Sequence, residues 1–420
     1  MRTAVVGGGL AGLAAALDLV DAGHDVTLLE ARPTLGGAVQ TLPERDGDPQ
    51  PPPDNGQHVA LGCFAEYLGF LARIGEGGSV LRTRLALPVI AEDASVSAIE
   101  PSPLALVRYG HLPLRDRIRI PLVTLRCRNA TPRPGESFGA LLRRLGSSDA
   151  AVDRFWDVFI RPALNLRSDE ASAEAGLFTV RTALLGPRAS SDLVLPLKPL
   201  GWMHGDAAGR ALAEAGAAVR TDTKVVAIHD NIVVTSDDRE LAADAVVVAV
   251  PPRESARLLG EPEPGLEDSP IVSVHLWFDR TLLPQPLAAL LSSDAHWVFD
   301  RGALTGHRPE RGQYLTVVAS GVPELLEVRG RDLPERIAAQ LTDRLGAAEL
   351  LWSRVSREPY ATVALRPGVE RPGPETGDPR VVRAGAWTDT GWPATMESAV
   401  RSGRRAAQHI LRSASAKLTA

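Results

Sequence analysis

The string Val5-Val6-Gly7-Gly8-Gly9-Leu10-Ala11-Gly12 constrains the fold more than any other part of this chain. It is G-x-G-x-x-G set between two periodicities: Thr3 to Val6 is a short apolar run of strand type, and Leu10 to Val20 carries helical spacing. His24 to Leu29 returns to a strand pattern through Val26, Leu28 and Leu29, and Glu30 follows, 18 residues past Gly12. Strand, glycine turn, helix and acid-tipped strand together make a βαβ dinucleotide-binding unit. Gly7 permits the tight turn, Gly9 lets a pyrophosphate approach the backbone at the positive end of the helix, and Gly12 lets the helix pack close to the strand. Glu30 would accept hydrogen bonds from ribose hydroxyls and repel a 2′-phosphate. The motif alone is also compatible with an ordinary glycine-rich turn; the flanking strands and the acid select the dinucleotide reading.

At 420 residues and 44% hydrophobic content the chain can bury a large core, as two or three domains or as one domain of interleaved segments. A net charge of -5 gives no global basic field for nucleic acid. Cys63 and Cys127 are the only cysteines, which excludes a disulfide framework, and no zinc ligand set can be assembled, so no metal is expected. There is no uninterrupted apolar run of about 18 residues, and the N-terminus opens directly into a strand pattern. The expectation is a cytoplasmic protein, neither secreted nor membrane-spanning. Lysine occurs only at Lys198, Lys224 and Lys417, which removes candidate catalytic amines.

Further along, Pro43 to Asp54 is dense in Pro, Asp and Gly and is expected to be an exposed loop. Ser137 to Leu145 and Ala150 to Ile160 read as amphipathic helices, the second burying Phe155, Trp156 and Phe159. A second α/β signature follows: helix over Asp206 to Ala215, strand material over Ala218 to Ile228, a hairpin strand from Asn231 to Ser236, and a buried parallel strand from Ala245 to Val250. Ile271 to Phe278 and Tyr314 to Ala319 suggest an antiparallel sheet. Arg380 to Ala384 reads as a strand, and Pro393 to Leu411 as a helix with proline at its first position.

Six residues past Glu30 stands a second glycine pair, Gly36-Gly37, in EARPTLGGAVQT. Here the chain resembles the FAD-dependent amine oxidase and phytoene desaturase superfamily, although Ala38 stands where relatives usually carry an arginine. Val225, in TKVVAI, matches the superfamily's strand that offers backbone hydrogen bonds on the adenine side. The string AGAWTDTGWPATMESA, Ala384 to Ala399, resembles the closing flavin motif, with Ala386 in place of the usual Asp. DNGQHV at Asp54 to Val59, SPIVSVHLWFDR at Ser269 to Arg280 and WVFDR at Trp297 to Arg301 narrow the resemblance to the hydroxysqualene dehydroxylases, also called squalene-associated FAD-dependent desaturases. The resemblance spans nearly the whole chain.

It implies an α/β fold. Residues 1–62, 200–262 and 378–420 would form a discontinuous FAD domain with a parallel Rossmann-like sheet. Residues 63–199 and 263–377 would form an inserted α+β substrate domain with an antiparallel sheet. FAD would be held by Gly7, Gly9, Gly12, Glu30, Gly36, Gly37, Val225, Gly385, Thr388, Asp389, Gly391 and Met396. The implied reaction is reductive dehydroxylation of hydroxysqualene to squalene, with His58 as proton donor or orienter and Asp54 as its partner. Trp156, Trp202, Trp277 and Trp297 could line an apolar cavity or belong to ordinary core.

The alternatives are a phytoene-type desaturase, an amine oxidase and a non-catalytic lipid-binding subunit. An amine oxidase would need a lysine, and Ser273 stands near its place. No motif identifies an electron donor. Finally, six arginines are interleaved with leucines and isoleucines between Pro101 and Arg128, a pattern expected of a lip that lies peripherally on the inner face of the membrane; a solvated helix face or a loop over the core is the plainer reading. Prolines at 103, 113 and 121 argue against one continuous helix there.

Overall fold

A computed structural model describes residues 1–230 and 232–418, with side chains through 413. Asn231, expected to open a hairpin strand, lies outside the described residues, and that strand is Ile232–Thr235. Strands β1 (Arg2–Val6) and β2 (Asp25–Leu29) flank helix α1 (Leu10–Asp21) as the glycine motif requires. They lie in a five-stranded parallel sheet ordered Val381–Arg383, Ala245–Val248, β1, β2, Ala218–Arg220. Ala245–Val248 is buried throughout, which explains its unbroken valine run: both faces of a parallel sheet are covered. The C-terminal helix Met396–Leu418 packs on α1 so closely that a Cβ on Gly403 would lie 2.0 Å from the Ala11 carbonyl oxygen.

A seven-stranded sheet runs Leu350–Val363, Asp268–Phe278, Gln313–Ser320, Trp297–Asp300, Leu287–Leu290, Leu87–Ile90, Val96–Ile99. The antiparallel pairing read from Ile271 to Phe278 and Tyr314 to Ala319 is present, Ile271 opposite Ser320 and Phe278 opposite Gln313. One pair, Leu287–Leu290 against Leu87–Ile90, is parallel.

Several local expectations change. The stretch Ala218 to Ile228 is two strands, Ala218–Arg220 at the edge of the parallel sheet and Val225–His229 in a three-stranded antiparallel sheet, because the chain turns at Asp222 with φ of 50°. The last helix begins at Met396, so Pro393 precedes it; Gly391, at φ of 73°, and Thr395, whose hydroxyl accepts from Ser398 N–H, shape the entry instead. The Pro-rich segment is exposed over 43–47 and at Gln50; Pro51 to Gln57 are buried.

That burial has a cause. Asp48 pairs with Arg354 of the seven-stranded sheet, and Asp54 pairs with Arg301, Nη1 to Oδ2 at 2.7 Å, with both side chains 1% exposed. The other Asp54 oxygen accepts from Thr41 Oγ1 at 2.8 Å and Leu200 N–H at 2.9 Å. Removing one partner of a buried ion pair strands the other charge in a medium that solvates it poorly. Arg301→Met should therefore lower unfolding free energy in a denaturant titration by roughly 3–5 kcal/mol. Adding Asp54→Asn, which removes the stranded charge and keeps the acceptor, should recover part of that loss.

Candidate active site

The glycine loop is built for a ligand backbone. Gly7 has φ of 107°, and a Cβ on it would lie 2.3 Å from Ala249 O; a Cβ on Gly12 would lie 1.9 Å from Gly7 O. These two glycines serve the turn and the helix packing. Gly9 differs: its φ of -76° suits any residue, and an added Cβ would meet only Gly37 Cα, at 3.6 Å. Space is therefore kept open beside Gly9, at a helix N-terminus that no side chain caps. Gly36 N–H donates to Gly8 O at 2.8 Å, and Gly37 lies against Gly9, where a Cβ would be 2.7 Å from Gly9 Cα. The second glycine pair thus lines the first.

Glu30 accepts from Gly8 N–H at 2.6 Å and Arg32 N–H at 2.8 Å, which fixes its carboxylate at the tip of β2. Thr223 N–H donates to Glu30 O, which brings the start of the Val225 strand beside it. Val225 is buried, and its carbonyl is approached by Arg257 Nη2 at 3.5 Å.

The closing motif is tied internally. Gly385 N–H donates to Ser402 Oγ at 2.8 Å, and the Thr388 hydroxyl meets Ser402 Oγ at 2.8 Å and Gly385 O at 2.9 Å. Thr388 is thus a brace for the turn. Asp389 is exposed and accepts from Gly391 N–H at 2.9 Å, shaping the loop before Met396, the first residue of the C-terminal helix. Arg371, which no sequence pattern singled out, donates to Ala386 O at 3.4 Å and Trp392 O at 2.7 Å and so clamps both halves of the motif.

Asp54 and His58 lie on one segment but are not hydrogen-bonded to each other. Asp54 is committed to Thr41, Leu200 and Arg301. Burial pushes its carboxyl up, opposed by Arg301, the Leu200 N–H and the Thr41 hydroxyl. His58 lies deep in the protein yet keeps part of its surface accessible, and its ring makes no hydrogen bond among the described residues. Burial, helped by nearby His204, lowers its pKa to about 4. Between them Gln57 is 6% exposed, and neither its Oε1 nor its Nε2 has a partner among the described residues. A buried amide without hydrogen bonds is costly, so Gln57 and the open ring of His58 leave polar atoms on this segment free to bond a further group. Asn55 anchors this segment to the glycine-pair loop, donating to Ala38 O at 2.8 Å.

Two further residues escaped the sequence reading. His204 is fully buried, with Nδ1 on Leu200 O at 2.8 Å and Nε2 on Tyr67 Oη at 2.8 Å; burial lowers its pKa to about 4 and raises that of the Tyr67 phenol. Neither belongs to a local motif; His204 lies within Trp202–Asp206, a π-helical turn, a feature frequent at functional sites. Of the tryptophans, Trp156 and Trp297 belong to the core, their indoles bonded to Ser147 Oγ and Val158 O. Trp277 donates to Arg311 O, and Trp202 is 48% exposed.

The flavin containing amine oxidoreductase family model matches residues 10–411. The chain is similar to the hydroxysqualene dehydroxylase of Sinorhizobium fredii (strain NBRC 101917 / NGR234), 29% identical over 97% of both chains. It is also similar to the zeta-carotene desaturase of Synechocystis sp., 25% identical over 98% of this chain and 97% of that one. Among solved structures, an oxidoreductase from Methanosarcina mazei superposes with a TM-score of 0.76 at 20% identity, covering 97% of this chain and 100% of that one.

Because the space beside Gly9 is open, Gly9→Val should leave the fold intact by circular dichroism yet yield colourless protein; retained flavin absorbance would remove Gly9 from the site. The histidines give a second expectation. His58 and His204 are lowered to about 4, and His275 and His296 to about 3, in each case chiefly by burial. The unfolded chain therefore binds more protons than the native one between those values and about 6.5, so stability rises with pH across that window. Melting temperature should fall as pH drops from 6.5 toward 4, and less steeply in His204→Gln.

Proposed function

The chain belongs to the flavin-containing amine oxidoreductase family and is an FAD-dependent oxidoreductase, and from that premise we propose that it removes the hydroxyl of hydroxysqualene reductively to give squalene. In this reading Gly7, Gly9, Gly12, Gly36, Gly37 and Glu30 hold the adenosine diphosphate half of the cofactor. Val225 flanks the adenine side, and Gly385 to Met396, clamped by Arg371, borders the flavin. Residues 1–62, 200–262 and 378–420 form the cofactor unit, with 63–199 and 263–377 as the substrate unit. Bound and reduced, the cofactor supplies a hydride.

The observation that carries the proposal is the Gln57–His58 pair: polar atoms unpartnered among the described residues, on a segment fixed by buried bonds. Ser273, near the place where an amine oxidase would carry its lysine, lies directly under Gly56, whose Cβ would be 2.8 Å from Ser273 Oγ. Loss of an allylic hydroxyl needs one proton on the oxygen, departure of water and capture of the delocalised cation by hydride. His58 holds the proton at the leaving oxygen, and Gln57 orients that oxygen. Asp54 serves through position, fixing the segment and making no contact with the proton.

The similarity to a zeta-carotene desaturase supports the second reading, polyprenoid desaturation, in which hydride leaves the substrate. A non-catalytic lipid-binding role would be favoured by protein unable to take up FAD. Since squalene-type chains dissolve in bilayers, the proposal includes peripheral association with the inner face of the membrane.

Reduced holoenzyme incubated with hydroxysqualene in detergent should yield squalene by mass spectrometry. Unchanged alcohol, or a more unsaturated product from oxidised enzyme, would overturn the assignment. His58→Ala should slow turnover by about 10²–10⁴-fold while keeping the flavin spectrum; an unchanged rate would relieve His58 of the role.

A further inference from the structure

The segment from Pro103 to Arg128 folds as two helices, Pro103–Arg108 and Leu114–Cys127. Pro103 occupies the first turn of one, and Pro113 caps the other, so two of the three prolines lie where they are tolerated. On the longer helix Asp116, Ile120, Val123 and Cys127 are buried. Its other face shows Leu114, Ile118, Leu122 and Leu125 at 62%, 51%, 50% and 56% exposure, and Leu104 of the shorter helix is 63% exposed. The spacing i, i+4, i+8 and i+11 makes the four a continuous aliphatic stripe.

The structure also sorts the six arginines. Arg117 donates to Leu112 O at 2.6 Å and Gly110 O at 2.9 Å, fastening the turn between the helices, and Arg126 donates to Leu145 O at 2.6 Å. Those two belong to the fold. Arg108, Arg115, Arg119 and Arg128 are exposed, with Arg115 and Arg119 each one residue past a stripe position. The only acid in the segment, Asp116, is buried and lies 3.8 Å from Arg115, whose side chain stays 74% exposed, on a chain whose net charge is -5.

We propose that this stripe and its arginine border dock on an anionic lipid bilayer, the leucines entering the headgroup boundary and the arginines meeting lipid phosphates. The proposal deepens the polyprenoid reading and takes its purpose from it. Charge selects the occupant: pairing two copies across the stripe would set arginine rows against each other, whereas anionic headgroups complement them. The buried face of the same helix joins the core that contains Trp156, Trp297 and Trp387, the last within the closing flavin motif. The docked surface and the closing motif thus share one hydrophobic core.

Sedimentation of holoenzyme with vesicles of phosphatidylcholine alone, or with phosphatidylglycerol added, tests the assignment. Wild type should pellet with the anionic vesicles, and salt should release it. The double change Arg115→Glu and Arg119→Glu should weaken that binding by about tenfold or more, and Ile118→Glu with Leu122→Glu should weaken it similarly; both variants should keep the flavin spectrum. Wild type left in the supernatant, or equal binding by all three proteins, overturns the proposal. So does a wild-type dimer by light scattering that Ile118→Glu with Leu122→Glu converts to monomer without altering vesicle binding. Dehydroxylation assayed in detergent is a separate readout: its absence beside normal vesicle binding would sink the substrate assignment and leave the surface standing.

Discussion

The buried pair of Asp54 and Arg301 holds the two halves of the site in register. Arg301 opens the helix Arg301–Thr305 at the end of a strand of the seven-stranded sheet. Asp54 belongs to the segment that returns from the glycine pair, and it also fixes Thr41 and the backbone of Leu200. One carboxylate thus joins the parallel sheet's loops, the turn before His204 and the wall formed by the other sheet. The desolvation such a pair suffers makes it a poor source of net stability. What it supplies is position: with Asp54 held, Gly56 lies on Ser273, and the segment that carries Gln57 and His58 is fixed on both sides.

A comparable economy operates at the C-terminus. Glu397, wholly buried one residue into the last helix, accepts from Glu66 N–H at 3.2 Å and Tyr67 N–H at 2.8 Å at the start of helix Ala65–Arg73. A carboxylate at a helix N-terminus satisfies free donors and the positive end of the dipole together. Its second tie is to Arg401 at 2.7 Å, whose guanidinium lies 4.7 Å from the Trp392 ring centroid. Sequence ends that are hundreds of residues apart therefore converge because helix termini and close glycine contacts require particular partners. Gly403 against Ala11 brings the closing motif to the glycine loop, and Glu397 brings it to Tyr67, hence to His204.

How much of this was legible in the sequence depends on whether the chemistry is imposed locally. Gly7, Gly12, Gly36 and Gly37 could be read because each is required by a backbone conformation or an approach that a Cβ would block, and such requirements leave a fixed spacing. The valine run at Ala245–Val248 could be read because burial on both faces allows nothing polar. Arg301, Arg371 and His204 could not be ranked, since each acts through a partner elsewhere in the chain and the chain is rich in arginine everywhere; Gln57 could not, because its burial without a partner shows only in the folded protein. The Pro43 to Asp54 segment misled for a related reason: proline and aspartate usually mark solvent, and only the distant Arg354 and Arg301 turn these acids inward. Thr388 and Asp389 stand in the expected motif, and their bonds to Gly385, Ser402 and Gly391 shape its turn, work that a motif match does not reveal because it does not say which polar groups face a ligand and which brace the chain.

The electrostatics of His58 set a condition on the proposed reaction. An imidazole with a pKa near 4 is neutral at physiological pH, and His204 nearby pushes it further in that direction. It can donate a hydrogen bond as it stands, but it becomes a strong proton source only when negative charge arrives beside it, which favours the charged form. In the proposed reading the N-terminus of the last helix, at Met396, borders the cofactor and would favour such charge there. The neutral resting state also matters for specificity: a permanently charged imidazolium in a dry cavity would repel the allylic cation that departure of water creates. Proton, negative charge and substrate must therefore come together, and a site whose histidines are held neutral by burial favours that order.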